Sequence, residues 1–274
     1  MATISCWIPK RVPELPEVET VVRSLAPRLT GRRIVSAQFF SRHVVRQKFP
    51  VLARRVRNQS VKSVTRHGKF IVLELDNGVL VIHLGMTGKL LLNSEPTAYA
   101  RAIFELDQGR LVYDDIRHFG RIEWSAHLPE RAGALGPDAL SIPLEEFLKL
   151  LKSRQGRIKP LLLNQKFLRG MGNIYTDEAL FEARIHPRAI ASSLSRERAA
   201  RLHRAMIDIL STAIRLKGSS ISDYVDADGE KGSFQLQHQV YGRAGEPCPT
   251  CGSAIRRIVV GQRGTHYCPK CQRS

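Results

Sequence analysis

The sequence predicts an α+β multidomain protein, with an N-terminal antiparallel β-sandwich or barrel behind a leading helix, then a helical domain, then a small C-terminal β-hairpin around a metal. Three observations carry this. From about residue 32 to 125 apolar residues recur with period two between turn residues. After Gly136-Pro137 the spacing becomes helical. Near the C-terminus stand two Cys-x-x-Cys knuckles, Cys248/Cys251 and Cys268/Cys271, sixteen residues apart.

In chain order, residues 16–29 place Val18, Val21, Val22, Leu25 and Leu29 on one helical face that ends before Gly31. Pro16 suits a first helical turn, and Glu17 and Glu19 suit the positive end of the helix dipole. Glu14 falls outside that helix and has no such explanation. The segments RRIVSAQFF, SVKSVTRHGKFIVLEL, VLVIHLGMTGKLLL, ARAIFELDQGRLVYDD and GRIEW read as successive strands, with Asn77-Gly78 and Gln108-Gly109 as hairpin turns. PLEEFLKLLKSR, KPLLLNQ, NIYTDEALFEARI and SRERAARLHRAMIDILSTAIRLKG read as helices, and residues 218–233 as a polar, glycine-bearing loop.

Forty-three Lys and Arg against 25 Asp and Glu give a net charge of +18. Such an excess attracts polyanions, of which nucleic acid is the commonest in a cell. No apolar run approaches the roughly 18–20 residues that cross a bilayer, so no membrane role is expected. The first twelve residues lack the apolar stretch of a signal peptide, so a cytoplasmic home is expected.

The knuckles are the most specific signal. Four thiolates fill the tetrahedral shell of one Zn²⁺ and leave no position for water, so the expected zinc is structural. Between them, AIRRIVV and THYC read as strands joined by Gly261-Gln262-Arg263-Gly264, which would set Arg263 at a rigid tip; a solvated turn arginine is the plain alternative. In Gly170-Met171-Gly172-Asn173 the glycines allow close backbone approach and Asn173 suits a helix cap, with amides positioned for a phosphate. A tight helix–helix turn explains the same residues. HLGMTG (83–88) and DIRHFG (115–120) place Met86, Arg117 and Phe119 on strand-end loops, where they suit either a wedge into a base stack or the core.

Taken together, PELPEVET, HGKF, HLGMTG, DIRHFG, NQKFLRGMGNIYTDEALF and the cysteine-bearing VYGRAGEPCPTCGSAI…GQRGTHYCPKCQ resemble the bacterial formamidopyrimidine-DNA glycosylases, also called 8-oxoguanine DNA glycosylases, from Pro13 to Gln272. The resemblance implies a β-sandwich catalytic domain (13–136), a helix–two-turns–helix DNA-binding domain with its lesion loop (137–233) and a zinc finger (234–274). It also implies a monomer acting on damaged double-stranded DNA. The implied reaction is base excision with strand cleavage: an oxidised purine is flipped out, an amine attacks C1′ and forms a Schiff base, and β,δ-elimination follows.

By matching motif, the resemblance makes Pro13 the nucleophile, Glu14 the acid, Lys69 the helper of β-elimination and Arg263 the finger arginine of δ-elimination. Met86, Arg117 and Phe119 match the residues that fill the vacated stack, and Arg154 and Asn173 fall at phosphate-contacting positions. Two departures touch DNA contacts: His118 stands where the family usually has Arg or Lys, and Tyr99 near a usual histidine. The sibling endonuclease VIII group usually begins PEGPE and lacks Arg-x-Phe, so PELPEVE and Arg117-x-Phe119 favour oxidised purines.

The proline raises a chemical difficulty. A terminal secondary amine, with a pKa near ~8, is a nucleophile, whereas a proline nitrogen inside a chain is an amide and is not. Val12 is the residue that a GTG codon specifies inside a gene, and GTG also starts bacterial translation as methionine. Residues 1–12 are therefore expected to be a mis-called extension, absent with its stray Cys6 from a mature chain that begins at Pro13. The alternatives are a genuine extension trimmed to Pro13, or one retained in a non-catalytic duplex-binding relative.

Overall fold

The computed structural model describes residues 13–221 and 223–273. The expected extension at 1–12, with Cys6, lies outside these residues.

Helix α1 (Leu15–Leu29) leads into β1 (Arg33–Phe39), α2 (Phe49–Val56), β2 (Gln59–His67), β3 (Phe70–Leu75), β4 (Val79–His83), β5 (Lys89–Leu92), β6 (Ala100–Leu106), β7 (Arg110–Asp114) and β8 (Arg121–Ser125). Every strand pairing is antiparallel. The sheet order is β5-β7-β6-β1-β2-β3-β4-β8, and its two four-stranded halves are joined through only two residue pairs, Arg33–Ser60 and Ile34–Gln59. The halves enclose one core that includes Ile34, Phe104, Leu73 and Ile82, as a sandwich requires. Both expected hairpin turns are present: Leu75 N–H donates to Gly78 and Leu106 N–H to Gly109.

Helix α2 departs from the all-strand expectation for this region. Pro50 in the first turn, and Leu52 and Val56 buried one helical turn apart, make FPVLARRV an amphipathic helix over β1 and β8. A short α3 (Glu130–Gly133) follows the last strand of the sandwich.

The second core is built by α4 (Leu144–Lys152), α5 (Ile158–Leu163), α6 (Asn173–Glu182) and α7 (Arg196–Arg215), which fall on the expected helical segments, α5 starting one residue before its own. Ser195 caps α7 by accepting the Arg198 N–H at 3.2 Å. Strands β9 (Arg256–Val260) and β10 (Arg263–Tyr267) form the terminal hairpin. Its turn is the two-residue Gly261-Gln262, both at positive φ (56° and 62°), so Arg263 opens β10 rather than sitting inside the turn.

Helix α1 belongs to both cores. Leu15 packs with the helical group, whereas Val18, Val21, Leu25 and Leu29 pack in the sandwich. The N-terminal end of α1, with Pro13 and Glu14, is thereby held at the junction of the two. The loop between α7 and the finger crosses the same junction: Tyr224 and Ala227 are buried in the sandwich core, and Leu92 N–H donates to Ala227. Among the described residues no helix is long and apolar enough to cross a membrane.

Candidate active site at the domain junction

Pro13 and Glu14 are buried at the start of α1. Glu14 backbone N–H donates to Glu17 Oε2 at 2.8 Å, a reach-back that fixes the first turn. The Glu14 carboxylate leaves its own helix and accepts from Ile174 N–H (3.1 Å) and Tyr175 N–H (3.5 Å) at the N-terminus of α6. Two sequence expectations change here. The amides expected to suit a phosphate hold a side-chain carboxylate, and Asn173 makes no cap. Instead Asn173 lies inside the first turn of α6 and donates Nδ2–H to Gly264 O at 3.0 Å.

The glycines of the 170–172 motif have a geometric cause. A Cβ on Gly172 would stand 2.1 Å from Glu14 Cδ, so only hydrogen leaves room for that carboxylate.

Burial pushes the Glu14 carboxyl up from 4.5 to about 7, against the opposing pull of Lys69 and the two amides. Lys69 occupies the Gly68-Lys69 turn between β2 and β3. Its amine is held below its ordinary value, first by burial, with Glu14 and Glu17 opposing and Arg263 adding to the fall. Glu14, Lys69 and Arg263 therefore share one electrostatic neighbourhood, although they come from three separate elements. Burial thus raises the carboxyl and lowers the amine, which narrows the gap between their proton affinities.

Glu17 was explained from sequence by the helix dipole alone. It is also buried, accepts from Tyr175 Oη–H, and accepts from Ser219 N–H at 2.7 Å. It thus ties the N-terminal end of α1 to α6 and to the start of the polar loop. Glu19 pairs with Arg23 at 2.7 Å and Arg66 at 2.8 Å.

The finger hairpin is fastened to this junction by residues that the sequence did not single out. Lys159 Nζ, fully buried, lies 2.6 Å from Asp177 Oδ1 and donates to Gly264 O at 3.1 Å. The other Asp177 oxygen accepts His266 N–H at 2.9 Å. These bonds fix the backbone of β10 just after Arg263 against α5 and α6.

Met86, Arg117 and Phe119 come together as expected. Arg117 Cζ sits 4.7 Å from the centre of the Phe119 ring, and Arg117 Nη1 is 4.0 Å from Met86 Sδ. Phe119 is 51% exposed, which excludes the core reading for it. The fully buried Asp115 clamps both loops: Oδ1 accepts from Thr87 Oγ1–H (2.5 Å) and Arg117 N–H (3.2 Å), and Oδ2 from Gly120 N–H (2.8 Å). Gly85, at φ +63°, lets the loops touch, since a Cβ there would meet the Gly120 nitrogen at 2.5 Å. Tyr99 is exposed beside them, its carbonyl accepting Asp115 N–H at 3.0 Å. His118 is turned toward Ser41, with Oγ 2.7 Å from Nδ1. Arg154 stands apart in the exposed turn after α4, where its carbonyl accepts Ser192 N–H.

The four cysteine sulfurs, Cys248, Cys251, Cys268 and Cys271, all lie within 4.8 Å of one another. Cys248–Cys271 is 3.9 Å and Cys251–Cys268 3.4 Å, near the ~3.8 Å edge of a tetrahedron with ~2.3 Å Zn–S bonds. The donor set fits one structural Zn²⁺, which closes the knuckles behind the hairpin.

Three family models match in succession: the formamidopyrimidine-DNA glycosylase N-terminal domain over residues 12–122, its H2TH domain over 135–225, and the zinc finger found in FPG and IleRS over 245–273. A formamidopyrimidine-DNA glycosylase of Solibacter usitatus is 52% identical over 264 residues, covering 96% of this chain and all of that one. The crystal structure of the MutM (Fpg) protein of Thermus thermophilus superposes with a TM-score of 0.86 at 42% identity, over 95% of this chain and 98% of that one. A variant Lactococcus lactis Fpg bound to Fapy-dG-containing DNA gives 0.86 at 34% identity, over 96% and 100%. The chain belongs to the formamidopyrimidine-DNA glycosylase family.

Proposed function

We propose that this protein is a bacterial base excision repair enzyme that removes oxidised purines from duplex DNA and then cleaves the strand as an AP lyase. The observation that carries this is Glu14: a buried carboxyl next to Pro13, raised to about 7 and sharing its neighbourhood with Lys69 and Arg263.

With the Pro13 nitrogen free as a secondary amine, its lone pair attacks C1′ and the bond from C1′ to the base breaks. Glu14 supplies the proton that the departing fragment or opened sugar needs, and an iminium forms between Pro13 and C1′. Loss of a C2′ proton expels the 3′ phosphate, with Lys69 as the nearby amine that takes or returns protons. A second elimination expels the 5′ phosphate, to which Arg263 is assigned, and Asn173 and Arg154 are assigned to backbone phosphates. Met86, Arg117 and Phe119 occupy the stack that the flipped base leaves. Zinc holds the finger's shape and takes no part in these steps.

The working units are residues 13–136, 137–233 and 234–274, with DNA across their junction. The net charge of +18 favours residence on the nucleoid, in the cytoplasm. Strand cleavage on duplexes carrying 8-oxoguanine, formamidopyrimidine or an oxidised pyrimidine tests the reading. Faster cleavage of the purine lesions supports it, and preference for the pyrimidine lesion overturns it.

A further inference from the structure

An open cavity of about 810 Å³ lies beside the wedge loops, and arginines from four segments reach it. Arg46 comes from the loop before α2, Arg117 and Arg121 from either side of Phe119, and Arg131 from α3. Arg131 is paired with Glu123 at 2.7 Å. Among the described residues no carboxylate pairs with Arg46, Arg117 or Arg121, so four guanidiniums face one acid.

Like charges gathered without counter-charges repel, and the repulsion is felt inside the cavity. Burial, then Arg131 and Arg46, pull the Arg121 guanidinium below its ordinary value. His83, in the same wall, is pushed down to about 4 by burial and then by Lys69, Arg131 and Arg121, so it adds no charge; its Nδ1 accepts from Gly85 N–H at 3.1 Å, which leaves Nε2–H as a donor. An anion entering here gains guanidinium contacts and removes that repulsion.

We propose that Arg46, Arg121 and Arg131 form a phosphodiester-binding trough that seats a backbone phosphate of the DNA flanking the wedge, outside the reacting nucleotide. The trough shares Arg117 and Phe119 with the wedge. Any duplex that the wedge enters therefore carries its backbone past the opening, which is why a DNA phosphate rather than a free ion is the occupant. This rests on the proposed function only in that the wedge meets duplex DNA.

The test is a salt titration of duplex binding by the full chain, with undamaged and 8-oxoguanine duplexes, for wild type, Arg121→Ala, Arg121→Gln and Arg46→Ala. Thermal melting of each variant identifies any that does not fold, and the remaining variants carry the result. Loss of one phosphate contact lowers the slope of log K against log [salt] by about 0.9. That loss is expected for each folded variant, equally on both duplexes, with the preference for the lesion retained. Unchanged slopes overturn the proposal. So does a third outcome, in which inorganic phosphate raises the melting temperature of wild type but not of Arg121→Ala while the DNA slopes stay equal, since the trough then binds only small anions. A wild-type protein that binds DNA without lesion preference counts against the proposed function and leaves the slope comparison intact.

Discussion

Glu14 Oε1 accepts a hydrogen bond from Ile174 N–H at 3.1 Å, joining the start of the sandwich to the helical domain across 160 residues of chain. The bond sets where the candidate acid points, and Gly172 makes room for it. Gly172→Ala would place a methyl group 2.1 Å from Glu14 Cδ while its backbone stays in the extended region, so the effect falls on the carboxylate. Base release in single turnover is expected to drop roughly 100-fold, the usual cost of about 1 Å of misplacement, with duplex affinity little changed. An equal loss of binding and chemistry would instead indicate a folding defect.

The elevated Glu14 carboxyl sets one limb of the pH dependence. A proton donor with a value of about 7 is protonated below it, while a Pro13 amine with a pKa of ~8 must lose its proton to attack, so base release should rise with pH up to about 7, level off, and fall above ~8. Stability follows the Glu14 carboxyl alone. The folded value exceeds the ordinary 4.5, so the contribution of this group is complete below pH 4.5 and is lost as pH rises through about 7. Glu14→Gln removes that loss, and its advantage over wild type at pH 8 in urea unfolding should be on the order of 3 kcal/mol or less.

Much of this arrangement was legible in the sequence. Period-two segments gave eight strands their places, and the helical runs gave α4 to α7, because in both cases the burial pattern is local. Helix α2 was missed because its buried residues, Leu52 and Val56, form only one short stripe inside a strand-rich stretch. The cysteine spacing gave the metal centre outright, since tetrahedral thiolate coordination is itself a local constraint. Contacts that span the chain were not legible. Nothing near Lys159 announces Asp177 as its buried partner or Gly264 as its acceptor, and Asp115 looks like an ordinary loop acid until both wedge loops are seen to hang from it. Gly172 was marked as a site of close approach, but what approaches is Glu14, from 158 residues away.

Zinc removal should act on the finger as a unit. The small core of the finger contains Cys248 and Cys268 with Val240, Ile255 and Phe181, so the thiolates are packed as well as coordinated. Cys248→Ser or Cys271→Ser is expected to release the metal, loosen the β9–β10 hairpin and abolish lesion-duplex binding, while α4–α7 keep their far-ultraviolet signal. Metal analysis, circular dichroism and a binding isotherm check this, and full binding by a zinc-free protein would contradict it.

The wedge separates discrimination from affinity. Phe119→Ala removes a ring that is 51% exposed, so little folding stability should go with it. Preference for lesion over undamaged duplex is expected to fall about tenfold or more, the scale of a few kcal/mol paid for unstacking. Nonspecific affinity should change less than threefold. Asp115→Asn should resemble it more weakly, through loosening of the two loops that Asp115 holds.

Whether Pro13 is the nucleophile is tested most directly by borohydride trapping on one lesion duplex, comparing the 274-residue chain with a chain that begins at Pro13, followed by peptide mapping of the adduct. A terminal proline amine forms an iminium that borohydride reduces to a stable bond, whereas an amide nitrogen cannot. The expected result is a covalent complex mapped to Pro13 for the chain that begins there, and binding without an adduct for the intact longer chain. Efficient trapping by the intact longer chain, mapped to a lysine such as Lys69, would contradict the N-terminal proline mechanism.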